Sequence, residues 1–399
     1  MVDISNIKRI AVIGAGVQGH SIAQSALMGD FEKVILNDLT MESIEKGANL
    51  IENSKYFGLK KLESEGKLGE GITAQKLMEK LVKEVDLEKA VENSDFVIEA
   101  VPEIMKIKQD VYKKLGKFAA KDTIMASNTS TMSITKIGDA SGRPEKVHGM
   151  HFFIPVEYKL IEIIRGEKTT DETMGIGVAV AQNLPCLEGK RLVIRLEKET
   201  PGFIANRVAT SSQIYFNWIF DKAVEKGLTF EQIDADLVDL SPRGVCLLCD
   251  IIGLDTVYNV MKYLEEALSP DFTPSKTLTK LVNEGNLGQK TGKGFYNWSE
   301  GKIPVIDKSK KAGMVDANVI IASMLNEGCR LLEEGIVSGY KIIDDAIVAG
   351  YHMPGPFMMG KKKYAEYSKL LEDVAEKTGK KYLKPCDLMK SGEFLRMRK

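Results

Sequence analysis

Histidine is scarce in this chain, four residues in 399, and cysteine is little commoner at five. The thiols of Cys186, Cys246, Cys249, Cys329 and Cys386 are odd in number and scattered, which excludes a disulfide framework and fits reduced cysteines. Cys246 and Cys249 form a C-x-x-C within "GVCLLCDIIG", but no second ligand pair accompanies them, and the flanking Val, Leu and Ile place both on the apolar face of a helix. No bound metal is expected. No apolar run approaches the roughly 20 residues of a membrane span, and "MVDISNIKRIAVIGAG" enters a strand without a basic-then-apolar leader. A cytoplasmic protein with no membrane partner is the expectation. Lys and Arg number 55 against 56 Asp and Glu, a net charge of -1, so no long-range field draws nucleic acid.

What is present is an alternation of short β-branched runs with amphipathic segments, from residue 7 to about 197. The runs "RIAVIGA", "KVILND", "DFVIEAV", "TIMAS", "KVHGMHFF", "LIEIIRG" and "RLVIRL" read as strands. Their alternation with helical patterns predicts an α/β Rossmann-type, doubly wound domain. A charged helical stretch over 41–80, broken by "EGKLGEG", predicts a projecting helical hairpin. Beyond "EKETPGFIANR" helical periodicity dominates. "DKAVEKGLTFEQIDADLVDLSPRGV" and "EEGIVSGYKIIDDAIVAGYHMPGPF" each carry a Gly after a helix, an Ile-Asp pair and a Pro/Gly turn. The reading is a dinucleotide-binding domain over 1–199, followed by two related all-α copies over 200–300 and 301–399.

"IGAGVQGHSIA" follows the first strand and opens a helix, with Gly14, Gly16 and Gly19 in G-x-G-x-x-G. Gly14 permits the tight turn, Gly16 lets the backbone approach a pyrophosphate, and Gly19 lets helix and strand pack closely, with the anion on the helix N-terminus. Asp38 ends the next strand, where a carboxylate accepts hydrogen bonds from a ribose 2′-hydroxyl and repels a 2′-phosphate. NAD is therefore the expected cofactor. In "VIEAVPEIMKIKQDV", a strand end joined to a helix start, Glu103 and Lys108 either face the nicotinamide half of the cofactor or decorate a helix surface. "ASNTSTMSI" either presents hydrogen-bonding side chains at the crevice or caps the next helix.

"HFFIPVEYKLIE" raises the question of a general base. Oxidising an alcohol by hydride transfer needs a proton acceptor, and a histidine braced by a carboxylate suits it. His151 and Glu162 meet that need if they face each other across an antiparallel turn, with Arg165 competing for the glutamate. His148, read as lying on the same strand face, is an equally legal base. From residue type alone the structural reading of His151 is the stronger. His20 sits in the first turn of the helix after the glycine loop, and His352 in the second helical copy.

Taken in order, the glycine motif, "EAVPE", "SNTS", "HFF", "KLIEII", "TPGFIANR" and "KTGKGFYNW" resemble the L-3-hydroxyacyl-CoA dehydrogenase family nearly end to end. The resemblance implies NAD-dependent interconversion of L-3-hydroxyacyl-CoA and 3-oxoacyl-CoA, as in fatty acid β-oxidation. It implies His151 as general base with Glu162 as its partner, and Ser130 and Asn206 holding the substrate's oxygen. Asp38 then matches the adenosine-ribose acid, and Glu103, Lys108 and Lys290 match cofactor-side positions. The hairpin, with Lys55, Lys60 and Lys61, is expected to meet coenzyme A. Departures are Ile154, where relatives carry Asn after "HFF", and "LSPRGV" in place of a "PMGPF"-like turn. Two further readings stand beside it: a relative acting on a free hydroxy acid or sugar acid, and a catalytically silent NAD-binding protein. A monomer through internal duplication and a homodimer are both compatible.

Overall fold

A computed structural model describes residues 2–153, 158–240, 243–298 and 303–399. Its contacts divide into two compact units, Met1–Phe203 with Asp345–Met353, and Ile204–Asp344 with Pro354–Lys399.

The first unit is built on one eight-stranded sheet: β1 Arg9–Ile13, β2 Lys33–Asn37, β3 Leu81–Glu84, β4 Phe96–Glu99, β5 Ile124–Ser127, β6 Val147–Phe152, β7 Leu160–Arg165 and β8 Leu192–Leu196. The order is β3-β2-β1-β4-β5-β6-β7-β8. β1 to β6 run parallel, β7 turns back antiparallel to β6, and β8 is parallel to β7. Ile10, Ala11, Val12, Val34, Leu36, Val97 and Ile98 are fully buried, as expected of strands covered on both faces. The chain reverses its winding between β1 and β4, and the crevice outside their carboxyl ends is where such sheets bind ligands.

Each run read as a strand forms one, but β3 is additional. "LVKE" is a short edge strand whose charged residues hide its alternation. The stretch over 41–80 is not two arms of a hairpin. It forms three helices, Met41–Asn53, Leu59–Ser64 and Ala74–Met78, because the chain turns at Gly58 as well as in the glycine-rich break. Thr40 and Thr73 cap the first and last, accepting from Ser43 N and Lys76 N.

The second unit is helical. Its longest helix, Ala317–Glu333, buries a face running from Val319 to Leu332 and packs against Tyr364–Thr378 and Pro356–Gly360. Two aspartates each accept backbone hydrogen bonds at the start of a helix. Asp234 accepts hydrogen bonds from Val245 N, Cys246 N and Leu247 N, capping the helix Cys246–Ile252. Asp344 accepts from Phe357 N, capping Pro356–Gly360. A side chain on Gly244 would collide with Asp234, and one on Gly355 with Asp344. Cys246 and Cys249 are buried here.

Candidate active site

The turn after β1 shows why it needs glycines. Gly14 has φ +104°, and a Cβ there would lie 2.6 Å from the carbonyl oxygen of Ala100. A Cβ on Gly19 would overlap the carbonyl oxygen of Gly14, so the helix Gly19–Met28 sits directly on the turn. Gly16 differs: nothing lies within 4 Å of where its Cβ would be. No protein atom requires glycine there, and the open approach suits a phosphate against the backbone. The first turn of that helix carries no acidic residue to oppose an anion. Asp38 follows β2, where Oδ2 accepts from Ala15 N and Oδ1 from Leu39 N, both at 2.7 Å. These bonds orient the carboxylate against the glycine turn while leaving lone pairs for ribose hydroxyls. The residues present fit a dinucleotide.

Next to this turn, the ends of β4 and β5 carry a buried ion cluster. Glu99 pairs in register with Ser127, whose Oγ donates to Glu99 Oε2 at 2.7 Å. Lys108, on the helix Met105–Phe118, is buried and puts Nζ 2.8 Å from Glu99 Oε1 and 3.2 Å from Glu103 Oε2. Burial opposes the charge of Lys108, but the two carboxylates outweigh it and raise its pKa. For Glu103 burial is likewise opposed, by Lys108 and by hydrogen bonds from Thr129 and Ser130, and its pKa falls below the ordinary value. Lys108 is therefore no surface charge. None of the sequence motifs points to Glu99, whose signal is an acid inside the apolar strand "DFVIEAV" with a lysine nine residues on.

In "ASNTSTMSI" the cap of the helix Ile134–Ala140 is Ser133, which accepts from Lys136 N at 3.2 Å, and the preceding hydroxyls bond to Glu103. Thr129 Oγ1 donates to Glu103 at 2.6 Å and accepts from Met132 N at 3.1 Å, while Ser130 donates through N and Oγ to Glu103 Oε1 at 2.9 and 3.2 Å. Asn128 Oδ1 accepts from Phe152 N at 2.9 Å and its Nδ2 donates to Gln18 Oε1. Asn128 thus ties the glycine turn to β6, a link no spacing rule announced.

On β6 and β7, His151 stands opposite Glu162 in the antiparallel register. Nδ1 and Oε2 are 2.8 Å apart, with His151 3% and Glu162 0% exposed. The carboxylate only accepts, so Nδ1 carries the proton and Nε2 is left as an acceptor. Phe153 and Phe203 pack on the imidazole, with ring centroids at 4.4 and 5.7 Å. Arg165 does not compete for Glu162. Three positions along, it points to the other face and binds Glu197 and Asp171. The reading of His148 as sharing a face with His151 is wrong for the same reason: the two are three residues apart. His148 is fully buried between Phe96 and Gly177, and burial pulls its pKa down to about 4, against a hydrogen bond to Gly149 O that works the other way. His20 is occupied by Gly16 O at 2.7 Å.

Asn206 and Lys290 belong to the second unit. Asn206 lies on the helix Ala205–Thr210, and its neighbour Arg207 is buried in ion pairs with Glu327 and Glu334. Lys290 pairs with Asp255 at 2.5 Å. Of the lysines expected near coenzyme A, Lys60 pairs with Glu52 and Lys61 with Glu65, while Lys55 is exposed. Ile154 lies outside the described residues. Among the described residues no helix is long and apolar enough to cross a membrane.

Comparison with known proteins gives the family. The NAD binding domain of 3-hydroxyacyl-CoA dehydrogenase matches residues 9–195, and the C-terminal domain of the same family matches 202–298. A probable 3-hydroxybutyryl-CoA dehydrogenase of Deinococcus radiodurans is 36% identical over 295 residues, spanning 73% of this chain and 100% of that protein. The mitochondrial hydroxyacyl-coenzyme A dehydrogenase of Sus scrofa is 33% identical over 305 residues, spanning 73% of this chain and 91% of that one. The crystal structure of 3-hydroxybutyryl-CoA dehydrogenase from Escherichia coli K12 superposes with a TM-score of 0.81 at 25% identity, covering 98% of this chain and 99% of that one. This chain belongs to the 3-hydroxyacyl-CoA dehydrogenase family.

Proposed function

We propose that the protein oxidises L-3-hydroxyacyl-CoA to 3-oxoacyl-CoA, and runs the reverse reduction, with NAD as cofactor. The observation that carries this reading is the buried His151–Glu162 hydrogen bond of 2.8 Å, on β6 and β7 of the sheet whose β1 carries the glycine turn. Bound NAD supplies the hydride acceptor. Gly14, Gly16 and Gly19 admit its pyrophosphate, and Asp38 selects its ribose over a 2′-phosphate.

His151 Nε2 accepts the proton of the 3-hydroxyl, and in the reverse direction returns it. Glu162 holds Nδ1–H, keeps the ring in the useful tautomer and stabilises the imidazolium that forms. Ser130, held against Glu103, and Asn206 fix the oxygen of the substrate. Glu103, Lys108 and Lys290 act on the cofactor side, the first two by setting a fixed field at the ends of β4 and β5. The lysine-bearing segment over 41–80 meets the phosphates of coenzyme A.

The second unit is read as two related copies, 200–300 and 301–399. The parallel work of Asp234 with Gly244 and of Asp344 with Gly355 supports that reading. The protein is read as cytoplasmic, and as a monomer or homodimer that light scattering distinguishes.

Steady-state NADH absorbance tests the function. Turnover is expected with acetoacetyl-CoA and with 3-hydroxybutyryl-CoA, and not with free 3-hydroxybutyrate. His151→Gln should bind NADH nearly as the parent does and lose about 10²–10⁴-fold in kcat. Wild-type turnover by His151→Gln, or a preference for the free acid, removes this reading.

A further inference from the structure

We propose that Tyr351, on a segment that the C-terminal chain returns to the first unit, is a positioning residue for the His151–Glu162 pair. This rests on the dehydrogenase reading above.

Residues Asp345–Met353 belong by their contacts to the first unit, although the sequence places them within the second helical copy. At Gly350 the helix backbone comes down on the start of β7. A Cβ there would lie 2.9 Å from Leu160 Cδ2 and 3.0 Å from the ring of Phe153. Tyr351, the next residue, sets its ring edge-on against Phe153, with centroids 5.8 Å apart and planes at 73°. The same Phe153 ring lies 4.4 Å from that of His151. Phe153 is thus held between the proposed base and Tyr351. Tyr351 keeps 38% of its surface exposed, and desolvation of its phenol first and the Glu162 charge second raise its pKa.

The backbone gives a second, independent observation. Among the described residues only Phe203 and His352 are non-glycine residues at positive φ, +55° and +54°. Such conformations cost of order 1–3 kcal/mol and persist where the surroundings over-determine them. Phe203 packs on the imidazole of His151. His352 follows Tyr351 and is clamped by a stack on Tyr158, centroids 4.1 Å apart, and by Glu188 Oε1 2.9 Å from its Nε2. Both left-handed residues therefore lie beside the aromatic cluster around the proposed base. A buried imidazole joined to one carboxylate can still swing about that bond. Packing on its flank fixes where Nε2 points, and misplacement by about 1 Å can cost roughly 10²-fold in rate.

The test uses the full-length protein, acetoacetyl-CoA turnover, NADH binding by fluorescence and thermal melting. Tyr351→Ala, and Tyr351→Leu should alanine fail to fold, are expected to lower kcat about 10- to 100-fold. NADH affinity should stay within about twofold, and Tyr351→Phe should restore kcat to within about threefold. In a His151→Gln background Tyr351→Ala should lower the remaining turnover by less than about twofold, because its effect passes through the missing imidazole. An unchanged kcat in Tyr351→Ala overturns the inference. So does an equal fold-loss in both backgrounds, or a loss that phenylalanine does not rescue. Wild-type turnover by His151→Gln alone would instead remove the dehydrogenase reading on which the inference rests.

Discussion

Glu162 stands directly across the β6–β7 ladder from His151, and its carboxylate receives the imidazole Nδ1 at 2.8 Å with both side chains sealed from solvent. The pairing follows from register alone. Once β7 turns back on β6, position 162 falls opposite position 151 on the same face, and a one-residue slip of β7 would turn Glu162 to the face away from His151.

Glu162→Gln keeps the shape and removes the charge. An amide can donate to Nδ1, which favours the tautomer that blocks Nε2 from accepting a proton. We expect kcat to fall about 10²–10⁴-fold with NADH affinity nearly unchanged. A loss below about threefold, measured by steady-state turnover and NADH titration, would show that the carboxylate is dispensable.

The glycines of the turn should separate folding from binding. Gly19→Ala drives a methyl group into the carbonyl of Gly14 and should destabilise the protein by about 1–3 kcal/mol. Gly16→Ala meets no protein atom, so its melting temperature should match the parent within error. Its NAD affinity should nevertheless drop by roughly tenfold or more, because the methyl occupies the approach of the pyrophosphate. Equal NAD affinity in Gly16→Ala and the parent would place the cofactor elsewhere.

Lys108 neutralises two acids, Glu99 fully buried and Glu103 with 32% of its side chain exposed. Lys108→Met leaves them uncompensated and should cost about 3–5 kcal/mol at pH 8, by denaturant titration. The pH dependence has a definite sign. With Lys108 present the folded pKa of Glu103 is lowered, so its contribution is present above the unfolded value of 4.5 and is lost as pH falls through the folded one. Without Lys108 that pKa rises towards or past the unfolded one, so the variant takes up the proton at higher pH than the parent, and its deficit should shrink as pH falls towards 4.

His148 supplies the opposite case. Its folded pKa of about 4 lies below the ordinary 6.5, so between these values the unfolded chain binds more protons than the native one. Stability is intact above pH 6.5 and declines as pH falls towards 4, by about 3 kcal/mol in total. In His148→Gln this contribution to the acid slope should vanish, while turnover at neutral pH persists. An unchanged slope would mean that the ring charges without cost.

Legibility followed locality. The glycine turn, the strand before it and Asp38 lie within 30 residues and were readable because backbone conformation and helix polarity act over that range. "LVKE" escaped because a four-residue edge strand has too few turns of its alternation to show. His148 was misplaced by a miscount of period, since odd separations along a strand point to opposite faces. Lys108 could be read either way because a lysine four residues into a helix looks the same whether its tip meets water or two carboxylates.

The sequence alone determined the winding of the first unit, the dinucleotide turn and the family resemblance, because each is written in residues close together and in fixed order. The family resemblance already paired Glu162 with His151, but only the tertiary structure gave that pair its geometry, joined Glu99 to Lys108 and set Tyr351 beside Phe153. Such pairings depend on strand register and on side-chain direction after the chain has closed on itself, and no spacing along the chain specifies either.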